Sequence, residues 1–102
     1  FMIKHIVLFQ LAEVAEGKTK KENAQFIKTE LEKLINVIPQ LKKIEVGLNH
    51  PESPQNNYDI ALYCEFNSLD DLNIYQEHPA HKEVSEYVGK IKTSRVAVDY
   101  EV

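Results

Sequence analysis

The chain has 102 residues, 43% of them hydrophobic and 27% charged, which suits one globular domain and excludes general disorder. Such a domain buries only roughly 60 to 70% of the surface its unfolded chain exposes, so the core is thin. Twelve Lys and Arg against sixteen Asp and Glu give a net charge of −4 with no basic stripe, which speaks against nucleic acid as a partner.

Met2 to Leu11 alternates Ile3, His5, Val7, Phe9 and Leu11 against Met2, Lys4, Ile6, Leu8 and Gln10. Both sides are apolar mid-strand, as in a central strand covered on two faces. The run is too short and too polar to span a bilayer, and it lacks the basic leader and cleavage site of a secretory signal. No membrane association and a cytoplasmic location are therefore expected. Glu13 to Lys18 reads as a polar loop. Thr19 and Glu22 have capping-box spacing, and Ala24, Ile27, Leu31, Leu34, Ile35 and Ile38 make one apolar stripe on a helix that Pro39 ends.

Leu41 to Asn49 is a half-buried strand through Ile44, Val46 and Leu48. His50 to Asn57 is a loop. Tyr58 to Phe66 is a third strand, with Tyr58, Ile60, Leu62, Cys64 and Phe66 on one side. Cys64 is the single cysteine, so no internal disulfide exists, and its apolar neighbours mark a buried, inert thiol. Ser68, three residues before Asp71, caps a short helix carrying Leu69, Leu72 and Tyr75. Pro79 suits the first turn of a new helix, so His78 to Lys90 reads as a separate helix with His81, Val84, Val88 and Ile91 on one face. Ser94 to Val102 is the last strand.

The order β-α-β-β-α-β predicts a single α+β domain over residues 2–102, a ferredoxin-like antiparallel sheet with its helices on one face. The other face is expected to hold Ile6, Leu8, Ala61, Tyr63 and Ala97 beside Lys4, Glu45 and Asp99. Two identical sheets pairing through it, as a homodimer, would cover that surface.

The four histidines differ in setting. His50 precedes Pro51 in a polar loop and reads as exposed. His5 is in phase with Val7 and Phe9 and points under the helices, where a core imidazole bonded to a carbonyl is the favoured reading. His81 faces inward, and Tyr75 reaches the same region. Two histidines and a phenol in an apolar hollow can bind a ketone and move a proton at the adjacent carbon; they can equally be three satisfied polar groups in a core. The hollow would be lined by Val7, Phe9, Ile27, Leu31, Ile60, Leu62, Val84 and Val88, and a ligand site needs a few hundred Å³ or so. His78 and His81, three apart beside Glu77, offer too few ligands for zinc, so no metal is expected. In the bland reading the two frame the Pro79 turn, with His78 donating to the end of the preceding helix.

Ile3-Lys4-His5-Ile6-Val7, Tyr75-Gln76-Glu77-His78-Pro79-Ala80-His81 and Val98-Asp99-Tyr100 together resemble the stress-responsive A/B barrel domain family over almost the whole chain. The resemblance implies a dimeric α/β barrel, and most members have no assigned activity. One plant member is a polyketide cyclase working by aldol condensation without a cofactor. Its working histidine corresponds to His81, its supporting tyrosine to Tyr75 and its first-strand histidine to His5. It carries a further histidine where this chain has Ile60, and its cavity aromatics are replaced by Ile27, Lys28 and Leu31. The resemblance thus implies His81 as the base, Tyr75 orienting a carbonyl, His5 holding a polar group or a water, and no cofactor. A non-catalytic dimeric scaffold is the alternative. A cofactor-free monooxygenase of the related dimeric barrels is a third reading, disfavoured because the chain has no tryptophan.

Overall fold

The computed structural model describes every residue from Phe1 to Val102. β1 (Ile3–Leu11) alternates buried and half-buried residues along its whole length. The segment expected as a loop instead forms a minimal hairpin of β2 (Val14–Ala15) and β3 (Lys18–Thr19). Its two turn residues, Glu16 and Gly17, have φ of 53° and 73°, as a two-residue hairpin turn demands. Two-residue strands are too short for alternation to announce them.

α1 (Lys20–Glu32) starts at a reciprocal cap. Thr19 Oγ1 accepts from Glu22 N at 3.2 Å, and the Glu22 carboxylate accepts from Thr19 N at 3.0 Å. The chain then tightens into a 3-10 turn over Lys33–Asn36. Ala24, Ile27, Leu31, Leu34 and Ile38 are buried, whereas Ile35, expected in the same stripe, is 37% exposed because the tighter turn rotates it outward. β4 (Lys43–Leu48) lies at the sheet edge, and α1 protects it. Lys28 Nζ donates to Val46 O at 2.6 Å while Glu32 accepts from Val46 N at 3.4 Å, so the outward-facing N–H and C=O of Val46 are both satisfied by side chains.

β5 (Ile60–Phe66) buries Ile60, Leu62, Cys64 and Phe66. α2 (Leu69–Glu77) is capped by Ser68, whose hydroxyl accepts from Asp71 N at 3.1 Å. α3 (Pro79–Ile91) follows after the single residue His78. His78 Nδ1 accepts from Ala80 N at 3.0 Å. The imidazole therefore caps the start of α3, while the donation to the end of α2 comes from the His78 backbone N–H, which reaches Tyr75 O at 3.2 Å. β6 (Lys92–Glu101) leaves α3 with no intervening loop, two residues earlier than expected.

The sheet order is β4-β5-β1-β6, every neighbour antiparallel, with the helices on one face: the ferredoxin-like arrangement. β1 is central, and its register places β6. Asp99 lies opposite His5, Ala97 opposite Val7 and Arg95 opposite Phe9, so these three share the helix-side face. Val96, Val98 and Tyr100 pair with Leu8, Ile6 and Lys4 on the open face. This corrects the expectation that Ala97 and Asp99 lie there. The open face is more apolar than expected along its β1 and β6 half, with Val96, Val98 and Tyr100 exposed beside half-buried Ile6 and Leu8. No helix is long and apolar enough to cross a membrane.

Candidate functional site

His5 is held at the middle of β1 by cross-strand pairing, facing Cys64 on one side and Asp99 on the other. Its side chain is buried, and Nδ1 lies 2.5 Å from Asp99 Oδ1. A carboxylate accepts, so Nδ1 carries the proton and Nε2 is left for the space that His5 borders. The partner is thus a side-chain carboxylate, where a backbone carbonyl was expected. Placing Asp99 on the helix side made the difference.

His81 sits in the first turn of α3, whose position is set by the His78 cap and by Pro79. Its Nδ1 is 3.1 Å from the carbonyl oxygen of Gln76. A carbonyl can only accept, so Nδ1 donates and Nε2 keeps its lone pair. Burial holds the imidazole below the ordinary histidine value of 6.5, and the positive fields of His5, Arg95 and His78 act the same way against the opposing pull of the Gln76 carbonyl. At neutral pH His81 is therefore an uncharged base.

The two imidazoles border one cavity of about 80 Å³ under the helices, smaller than the few hundred Å³ expected of a ligand site, so it can take only a small group. Val7, Phe9, Leu31, Leu62 and Val88 supply its apolar wall, as expected for those five. Ile27 and Ile60 are not on its wall; Ile27 is buried in the core, and Ile60 lies under the separate hollow beside β4 and its following loop. Val84 turns instead toward a broad surface hollow between α1 and α3. Gln76, Ser85, Lys92 and Arg95 also line the cavity, none of them singled out by the sequence pattern. Larger hollows, of about 630 and 470 Å³, are open surface depressions away from this histidine pair.

Tyr75 is fully buried and not a wall of the cavity. Its ring stacks at a tilt on His81, with centroids 4.5 Å apart, and on Phe66 at 5.0 Å. Its hydroxyl is 4.0 Å from Cys64 Sγ, and burial raises the pKa of both groups, the thiol to about 12. Tyr75 therefore packs against the His81 ring, and its hydroxyl contacts Cys64 and takes no part in the cavity wall. No group of three or more His, Cys, Asp or Glu side chains converges as a metal set.

The sequence over residues 3–102 matches the family model described as stress responsive A/B barrel domain. The chain belongs to that family. Several solved structures share its fold. A dimeric ferredoxin-like protein of unknown function from Bacteroides fragilis is 39% identical with a TM-score of 0.84, covering 99% of this chain and 96% of its own. A dimeric ferredoxin-like protein of unknown function from Thermobifida fusca is 29% identical with a TM-score of 0.82, covering 99% and 91%. A hydroxynitrile lyase from Passiflora edulis is 18% identical with a TM-score of 0.77, covering 99% and 93%, a likeness of fold alone. No curated protein matches the sequence. The A/B barrel assignment fixes the fold and leaves the chemistry to the cavity.

Proposed function

We propose that this A/B barrel protein binds a small carbonyl compound in the cavity between sheet and helices and moves a proton at the carbon beside the carbonyl. The supporting observation is the unprotonated Nε2 of His81, set by the Gln76 carbonyl on the opposite ring nitrogen, at a cavity shared with His5. His81 takes the proton, forming an imidazolium and an enolate, and returns it to the carbon or to the enolate oxygen. His5, oriented by Asp99, presents its second nitrogen as an acceptor to a water, which can in turn donate to the carbonyl oxygen. The volume favours a keto ligand over an aromatic one, since about 80 Å³ is well short of the ~150 Å³ cavity that takes benzene. Protons beside activated carbonyls are acidic enough for such a base without a cofactor. A lyase of the same fold, from Passiflora edulis, is in keeping with an active site on this scaffold.

Two copies of the chain would pair through the open sheet face. Support comes from the exposed Val96, Val98 and Tyr100 and from relatives at 39% and 29% identity that are described as dimeric.

The test of the chemistry is solvent exchange. In deuterium oxide, proton NMR of 2-oxobutanoate should show loss of the signal beside the carbonyl faster with the protein than without it, and His81→Gln should abolish the gain. Equal rates for protein and buffer would remove the catalytic reading and leave the scaffold reading in its place.

A further inference from the structure

The cavity has four basic side chains on its wall, His5, His81, Lys92 and Arg95, and no carboxylate. That is unexpected in a chain with more acids than bases. Four of the twelve Lys and Arg have a carboxylate within ion-pair distance; Lys92 and Arg95 are among the eight that have none, and they are the two that line this cavity. The nearest acid along the same face of β6 is Asp99, and it is already taken by His5. Arg95 is near enough to hold down the charge on His81. Two unneutralised cations beside a concave, largely apolar space concentrate positive potential there.

Resting on the proton-transfer reading above, we propose that the ligand is a small oxo acid. Its carboxylate lies against Arg95 and Lys92 at the rim; the carbon beside its carbonyl reaches inward to His81 Nε2, and the carbonyl oxygen meets a water held by His5. Arg95 presents paired N–H donors in the geometry a carboxylate accepts, and Lys92 adds a second charge. The volume limits the inward part to roughly three or four carbons. The charge pair also serves the chemistry. When His81 Nε2 removes the proton, the C–H electron pair moves toward the carbonyl oxygen and builds an enolate beside an existing carboxylate; without a cation nearby, those two negative charges would oppose each other. Reprotonation from the imidazolium, or deuteration after exchange with solvent, restores the oxo acid with no net change in oxidation.

The experiment compares 2-oxobutanoate with 2-butanone, which replaces the carboxylate by a methyl group. Both binding, by saturation-transfer NMR, and deuterium exchange are followed in wild type, Arg95→Met and Lys92→Met. The expected result is preference for the oxo acid by about tenfold or more, reduced about tenfold by Arg95→Met, the loss expected for one charge-assisted hydrogen bond. Equal handling of ketone and oxo acid would overturn the anion assignment and leave proton transfer standing. Binding of the oxo acid that depends on Arg95, with no exchange of either compound, would uphold the anion site and overturn proton transfer. Neither binding nor exchange would overturn both.

Discussion

Asp99 on the last strand accepts a hydrogen bond from the buried imidazole of His5 on the first, at 2.5 Å across the pairing of the edge strand β6 with β1. Removing the acceptor leaves a buried N–H without a partner, which costs roughly 1–3 kcal/mol. Asp99→Ala should therefore lower the urea midpoint clearly, and Asp99→Asn, which keeps an acceptor oxygen, should lower it less. Identical midpoints for wild type and Asp99→Ala would show that the pair contributes nothing to stability.

His81 gives a pH dependence with a defined sign. Its folded-state pKa lies below 6.5, the value it would have in the unfolded chain. As pH falls below 6.5 the unfolded state takes up a proton that the folded state refuses, so unfolding becomes easier. The stability difference between wild type and His81→Gln should accordingly shift against wild type between 6.5 and the lower folded-state pKa, and level off above 6.5. Exchange catalysed by His81 should persist as pH drops through 6.5 and decline only further down. A rate that halves at or above 6.5 would contradict the buried, uncharged base.

Cys64 is fully buried with its pKa pushed up to about 12 by burial, against a weaker lowering from the Tyr75 hydroxyl. The reactive thiolate is thus scarce and shielded. A disulfide exchange reagent should fail to label the folded protein at neutral pH and should label it fully in guanidinium chloride. Rapid labelling without denaturant would mean that the β5 and α2 packing opens far more often than a core should.

On the open face, Val98 is 54% exposed in the single chain and lies on the edge strand β6 beside Ile6. If this face pairs two copies, Val98→Asp buries a charge without a partner and should convert the dimer to monomer in sedimentation experiments. A wild-type protein already monomeric at micromolar concentration, or a variant that stays dimeric, would place the interface elsewhere.

The features that local sequence revealed are those decided within one turn or one strand. The Thr19 and Glu22 cap, the stripe from Ala24 to Ile38 and the alternation of β1 and β5 were all legible because their partners lie within a few residues. The phase of β6 was not. Its alternation is visible, but which side joins the helices depends on register against β1, and that pairing shifts between Gln10 and Leu11, where Leu11 N donates to Asp59 instead. The consequences reach the site directly. Asp99 is 94 residues from His5 in sequence, so its role as the histidine's partner could not be read locally. Arg95 and Lys92 were missed for the same reason, although even spacing from Asp99 puts Arg95 on the same face once that face is known. The inward turns of His5 and His81 were legible, and so was the burial of Tyr75. The direction of the Tyr75 hydroxyl was not, because a helical stripe gives the side a residue faces and not where its last atom ends.

The central claim is that His81 offers a bare Nε2 to a ligand. Long-range proton–nitrogen NMR of the imidazoles at neutral pH reads it directly. The structure calls for a His81 signal with Nδ1 protonated and Nε2 unprotonated, and for that Nε2 resonance to move when 2-oxobutanoate is added. A protonated Nε2, or a His81 signal indifferent to the ligand, would contradict the account.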